Sequence, residues 1–168
     1  MNQEIQKAIK ILKGGGIVIF PTDTAFGIGC RIDNVKAVEK LFKIRNRPKD
    51  KATPVLVDSV EMAQEYLEPI RKNVKEELIS KYWPGALTIV LPCKKDKVPK
   101  LVIGRGNTLG IRIPNNRIAL SLIKGVGVPI LGPSANFSGA KTPYSFEDLD
   151  KNLIDLVDYV IPGKCLLK

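Results

Sequence analysis

Four apolar runs in this chain stop at proline or at a Gly-Pro pair. Ile17-Val18-Ile19-Phe20 ends at Pro21 and Leu87-Thr88-Ile89-Val90-Leu91 at Pro92. Leu109-Gly110-Ile111-Arg112-Ile113 ends at Pro114, and Val128-Pro129-Ile130-Leu131 runs into Gly132-Pro133. Proline has no N–H to offer a β-ladder, so each run reads as a short strand with a fixed end. Val55-Leu56-Val57 and Val157 to Ile161 add two more strands, and Phe26 to Ile32 an extended segment in which Gly27 and Gly29 permit close backbone approach.

Helical periodicity fills the gaps between strands. Ile5, Ala8, Ile9 and Leu12 share a helix face that Gly14-Gly15-Gly16 terminates, and Val35, Val38, Leu41 and Phe42 mark a second helix that Asp33 or Asn34 can cap. Helical stretches are also expected from Met62 to Leu67, from Asn73 to Tyr82 and from Ile118 to Ile123, the last broken by Gly125 to Gly127. Tyr144 to Leu156 reads as loop and helix. Strands and helices mix throughout, and some connections are too short for a crossover helix. The expectation is one α/β domain on a mixed sheet.

Composition narrows the chemistry. The 168 residues suffice for one domain with a sizeable core. No apolar run approaches the roughly 20 residues of a membrane span, and the N-terminus has no signal-peptide pattern, so a cytoplasmic place and no membrane partner are expected. Cys30, Cys93 and Cys165 form no CxxC pair, which argues against a disulfide framework or a zinc site, and no metal ligands are assigned. Lysine and arginine number 27 against 17 acidic residues, a formal charge of +10 that favours anionic partners or serves solubility alone. Histidine is absent. That removes the commonest general base and the Ser-His and Cys-His nucleophile pairs.

Polar and basic residues gather at element ends. Thr22-Asp23-Thr24 follows a strand, and either it makes a self-bonded turn or its two hydroxyls orient a small polar ligand. Lys43, Arg45, Arg47, Lys49 and Lys51 occupy alternate positions, so in an extended loop they point one way and grip phosphates, or else form a solvated face. Trp83-Pro84-Gly85 favours a packing role. Arg112 interrupts an apolar strand and needs an anion or carboxylate if it is buried, with Thr108 four residues earlier on the same side. Ser134, Asn136, Ser138 and Thr142 make a hydroxyl-rich loop. It matches neither a Rossmann fingerprint, a Walker loop nor a nucleophile elbow, which leaves anion or nucleotide binding as its functional reading.

Five segments together resemble the YrdC-like family, the threonylcarbamoyl-AMP synthases. They are Pro-Thr-Asp-Thr-Ala-Phe-Gly at 21–27, Arg-Asn-Arg-Pro at 45–48, Trp-Pro-Gly-Ala-Leu-Thr at 83–88, Gly-Ile-Arg-Ile-Pro at 110–114 and Ser-Ala-Asn-Phe-Ser-Gly at 134–139, in the family's order. Arg45 stands where the family usually has lysine, and Ala86 where it has proline. The family domain normally continues past Lys168, so residues 1–168 are expected to be one YrdC-like domain lacking its C-terminal end.

The resemblance implies a twisted mixed sheet flanked by helices around a deep basic cavity. It implies synthesis of threonylcarbamoyl-AMP from L-threonine, bicarbonate or carbon dioxide, and ATP, with release of pyrophosphate, by a nucleotidyltransferase. The product serves modification of the tRNA adenosine beside the anticodon by a downstream threonylcarbamoyl transferase machinery. Carried over by residue, Arg45, Arg47, Arg112 and Ser134 are catalytic. Arg47, Lys51, Thr108, Ser134, Asn136 and Thr142 hold ATP, and Thr22, Thr24, Arg112 and Gly132 hold threonine. Mg²⁺ is expected on the phosphates. Positioning and charge stabilisation dominate such a transfer, so a chain without histidine can perform it. Two alternatives stand beside this: a module that binds tRNA or double-stranded RNA without catalysis, and a carbamoyl-adenylate-forming relative.

Overall fold

The computed structural model describes residues 3–165. The extreme N-terminus and residues 166–168 of the closing segment lie outside the described residues. In chain order the elements are α1 (Gln3–Lys13), β1 (Val18–Phe20), β2 (Gly27–Gly29), α2 (Val35–Ile44), β3 (Val55–Leu56) and α3 (Val60–Tyr66). The single turns α4 (Lys72–Val74) and α5 (Ser80–Tyr82) flank a π-helical turn, Lys75–Ile79. Then come β4 (Ile89–Pro92), α6 (Lys100–Ile103), β5 (Thr108–Arg112), α7 (Arg117–Val126), β6 (Ile130–Leu131), α8 (Lys151–Ile154) and β7 (Tyr159–Val160).

The strands form two mixed sheets, ordered β2-β1-β7 and β4-β5-β3-β6. Parallel pairs β1/β7 and β3/β5 sit beside antiparallel pairs β1/β2, β4/β5 and β3/β6. The sheets meet along their edge strands. Ile28 N donates to Pro133 O at 3.0 Å, Leu131 N to Cys30 O at 2.9 Å, and Ile32 N to Pro129 O at 3.0 Å. The extended character expected from Phe26 to Ile32 arises here, since β2 pairs with β1 on one side and with the segment around β6 on the other. Gly29 is required at this seam, because a Cβ there would stand 2.2 Å from Leu131 O.

Both faces of the sheet are buried, and the strand period of two sorts the side chains between them. Val18 and Phe20 of β1, Leu56 of β3 and Ile130 of β6 pack with Ala8, Ile9 and Leu12 of α1 and Ala119, Leu122 and Ile123 of α7. Their neighbours Ile17, Ile19, Val55, Val57 and Leu131 pack on the other side with Val38, Leu41 and Phe42 of α2. A strand buried on both faces reads as a continuous apolar run, which is the pattern of Ile17 to Phe20.

Local chemistry sets the helix ends. The Asn34 side chain, rather than Asp33, caps α2 by accepting from Ala37 N at 3.0 Å, while Asp33 pairs with Arg31. Asn116 caps α7 by accepting from Ile118 N and Ala119 N. Helix α7 continues through Gly125 and ends at Gly127, whose φ of 83° is left-handed. Gly125 was expected to break the helix, but it serves packing instead: a Cβ there would lie 2.3 Å from Ile9 Cδ1 of α1. The single turn α6 had no sequence signal. It is held from outside, with Val102 O accepting from Thr53 N at 2.9 Å.

Candidate active site

Three strand ends converge on one cavity of about 260 Å³. After β1, the turn Thr22 to Gly27 supplies one wall. At the end of β5, Arg112 supplies the second, and Gly132, Pro133 and Ser134 after β6 supply the third, with Thr142 and Tyr144 further along that loop. Pro54 and Leu56 from the β3 segment, and Thr88 before β4, complete the lining. A larger groove of about 740 Å³ lies between α2 and α6; of the polar and basic residues singled out from sequence only Lys49, from the row of alternate cations, lines it.

Thr22 makes the turn. Its buried hydroxyl donates to Ala25 O at 2.6 Å and accepts from Thr24 N and Ala25 N at 3.1 and 3.2 Å. That closed circuit is a hydroxyl mimicking a backbone turn, and it frees Thr24 to face Arg112. Arg112 Nη1 donates to Thr24 Oγ1 at 3.0 Å, Nε donates to Gly85 O at 2.9 Å, and Nη2 donates to Asp23 Oδ1 in a buried ion pair. An arginine in an apolar strand does need a carboxylate, and Asp23 provides it. Gly85 is itself fixed, its N–H donating to Ile113 O at 2.9 Å, and Trp83 Nε1 donates to Leu87 O at 2.8 Å. The Trp-Pro-Gly turn therefore holds the guanidinium in place, which is the packing role its composition suggests.

The hydroxyl-rich loop is strapped to β2. Ala135 N donates to Phe26 O at 2.8 Å, Phe26 N to Pro143 O at 2.9 Å, and Ser134 bridges to Gly27. Its far end is tied by Arg45 and Asn136. Arg45 Nε donates to Asn136 O at 3.0 Å, Ser138 N donates to Arg45 O at 2.8 Å, and Asn136 Nδ2 donates to Phe137 O and Ala140 O.

Thr22, Thr24, Arg112, Gly132, Ser134 and Thr142 thus line one cavity, whereas Arg45, Arg47, Lys51, Thr108 and Asn136 do not. The row of alternating cations does not form. Arg45 is 3% exposed while Lys43, Lys49 and Lys51 are exposed, because Asn46 takes a left-handed φ of 51° and turns the chain between Arg45 and Arg47. Arg47 donates through Nε to Lys51 O at 3.3 Å and through Nη2 to Ala52 O, so it ties its own loop. Burial, with a smaller push from Arg47, lowers the Arg45 guanidinium to about 10, and burial also lowers Arg47. Arg45 Nη1 and Asn136 Oδ1 are buried without a partner among the described residues. Thr108 occupies the opposite end of β5 from Arg112, about 13 Å away at the usual strand rise. Asp23, Thr88 and Tyr144 were not singled out as ligand-facing from sequence. Asp23 had a signal, since Arg112 called for an acid. Tyr144 had none beyond being an aromatic in a loop.

No group of three or more His, Cys, Asp or Glu that could hold a metal ion is found among the described residues. The carboxylate beside the cavity, Asp23, is engaged by Arg112. No helix among the described residues is long and apolar enough to cross a membrane.

Known proteins share this architecture. A Bacillus subtilis threonylcarbamoyl-AMP synthase is 36% identical over 161 residues, 94% of this chain and 46% of that protein. A doubly substituted variant of Pyrococcus abyssi Sua5 superposes with a TM-score of 0.91 at 32% identity, covering 96% of this chain and 49% of that one. Pyrococcus abyssi Sua5 in complex with L-threonine superposes at 0.87, also with 32% identity, covering 95% of this chain and 46% of that one. The chain spans about half the length of these relatives. The profile of the Sua5/YciO/YrdC family, described as telomere recombination, matches residues 10–168. A match over that span, on a mixed α/β fold that superposes on these structures, makes this chain a member of the Sua5/YciO/YrdC family.

Proposed function

We propose that this chain forms threonylcarbamoyl-AMP from L-threonine, bicarbonate or carbon dioxide, and ATP. The observation that carries the reading is the Arg112–Thr24 pair, a guanidinium and a hydroxyl 3.0 Å apart on the wall of a small cavity that the Ser134 loop closes. A cation and a hydroxyl at that spacing suit an amino acid that carries a carboxylate and a hydroxyl of its own. The complex of Pyrococcus abyssi Sua5 with L-threonine supports threonine as the occupant.

In this reading Arg112 binds the threonine carboxylate, with Thr24 and the backbone of Gly132 beside it. The threonine amine attacks the carbon of carbon dioxide and loses a proton to solvent, giving a carbamate. A carbamate oxygen then attacks the α-phosphorus, the α–β anhydride breaks, and pyrophosphate leaves. Ser134 and Thr142 face the nucleotide, as polar groups that orient rather than react. Arg45 and Asn136 hold the loop's geometry, and Arg47 and Lys51 sit in the loop that precedes Pro54, where phosphates leaving the cavity meet positive charge. The described residues offer no group of three or more His, Cys, Asp or Glu to hold a metal ion, so Mg²⁺ would enter with the nucleotide and would screen its phosphates. The product, a reactive mixed anhydride, is consumed by transfer to the tRNA adenosine beside the anticodon.

The test is an assay with ATP, labelled bicarbonate and each amino acid in turn. Pyrophosphate release that requires both threonine and bicarbonate, with label in an adenylate, supports the assignment. Release driven by carbamoyl phosphate instead assigns the carbamoyl-adenylate chemistry. Salt-sensitive RNA binding with no pyrophosphate release leaves the RNA-binding module.

A further inference from the structure

The cavity is smaller than the ~300–1,000 Å³ of most small-molecule pockets, so a nucleotide enters it with one end and lies across its rim with the other. The polar lining, Arg112, Ser134, Thr142 and Thr24, suits the charged and hydroxylated parts. A purine base needs a flat apolar face instead. The residue at the rim that has one is Tyr144, which lines the cavity and is still 45% exposed.

We propose that the Tyr144 ring is the platform on which the base of the bound nucleotide stacks, an inference that rests on the nucleotide reading above. An exposed tyrosine on a slack loop would pay its ordering entropy on binding, but this one is held in advance. On its N-terminal side, Pro143 O accepts from Phe26 N at 2.9 Å. On its C-terminal side, Asp148 Oδ2 accepts from both Tyr144 N and Ser145 N, at 3.1 and 2.9 Å. Two residues on, Phe146 packs edge-on against Phe26, with ring centroids 6.1 Å apart and planes at 70°, so the loop is pinned to the cavity wall by an aromatic pair that leaves the Tyr144 ring out. Tyr144 thus has a fixed backbone and an unspent ring face. Stacking uses the π-face that every base shares, so the platform strengthens binding without choosing among purines.

The experiment is calorimetric titration of wild type, Tyr144→Phe and Tyr144→Ala with α,β-methylene-ATP, the corresponding GTP analogue and inorganic tripolyphosphate. NMR of ring-labelled tyrosine accompanies it. Loss of a stacked base on truncation weakens binding about fivefold or more. Tyr144→Ala is expected to lose at least that for both analogues, Tyr144→Phe to stay within about twofold, and tripolyphosphate to bind all three proteins alike. Ring protons of Tyr144 shift upfield when the analogue is added to wild type. Equal analogue affinity in wild type and Tyr144→Ala overturns the proposal, as does an equal loss for tripolyphosphate, which reports a disturbed loop instead. Wild type that binds no analogue overturns the nucleotide reading itself, a result distinct from either.

Discussion

Arg112 and Asp23 form a buried ion pair across 89 residues of sequence, joining the end of β5 to the turn after β1. The pair fixes the guanidinium that faces the cavity and clamps one sheet to the other. Breaking a buried pair from one side strands the remaining charge, at a cost of about 3–5 kcal/mol. Asp23→Ala is expected to lose stability on that scale in urea denaturation at neutral pH. A midpoint that does not move would show that Gly85 O and Thr24 satisfy Arg112 without the carboxylate.

Arg45 gives a pH test with a defined sign. Its folded value is lowered, to about 10, so the folded state binds the proton less tightly than the unfolded chain does. Charged Arg45 therefore penalises folding in full below about pH 10, and the penalty fades as pH rises from there toward the ordinary arginine value above about 12. Relative to Arg45→Met, wild type should gain stability between pH 9 and pH 11. Urea midpoints of the two proteins that stay parallel over that range would mean the guanidinium is solvated in the fold.

Gly29→Ala addresses the seam between the sheets. The added methyl would meet Leu131 O at 2.2 Å and Phe20 Cε1 at 3.1 Å, and a backbone carbonyl cannot swing aside. The expected loss is about 1–3 kcal/mol, the range for overpacked interiors. Thermal unfolding measures it, and Gly139→Ala makes a useful contrast: nothing lies within 4 Å of a Cβ there, although a φ of 87° brings a backbone cost of its own.

Cys30 is fully buried, and desolvation pushes its thiol up to about 12. At pH 8 it is almost entirely protonated and out of reach, so it should react with a disulfide reagent only at the rate at which the protein opens. Cys165, half-buried and also raised by burial, should be slow without being silent. A fast phase that survives Cys165→Ser and Cys93→Ser would contradict this burial.

The strands were legible because proline cannot donate to a ladder: β1 ends just before Pro21, and Pro92 is itself the last residue of β4. Helices α1, α2 and α7 were legible from the spacing of Ala8, Ile9 and Leu12 and their counterparts. What was not legible depended on distant parts of the chain. Gly125 reads as a breaker until Ile9 of α1 occupies the space over it, and α6 is one turn held by Thr53. The alternating cations failed as a surface row because a single residue, Asn46, reverses the chain and sends Arg45 inward. Thr24, Arg112, Gly132, Ser134 and Thr142 come together from three strand ends, a convergence that motif order suggests and sheet pairing builds. Tyr144 stayed hidden because its significance lies in where Asp148 and Phe26 hold it.

The hydrogen bonds from Ile28 to Pro133 and from Leu131 to Cys30 put the cavity beside a join between two separately ordered sheets. A hinge opening at that join would erase the pocket before melting either half. Ligand affinity should accordingly decay ahead of helix content during gentle heating, and an occupant of the pocket acts as a rivet for the whole domain.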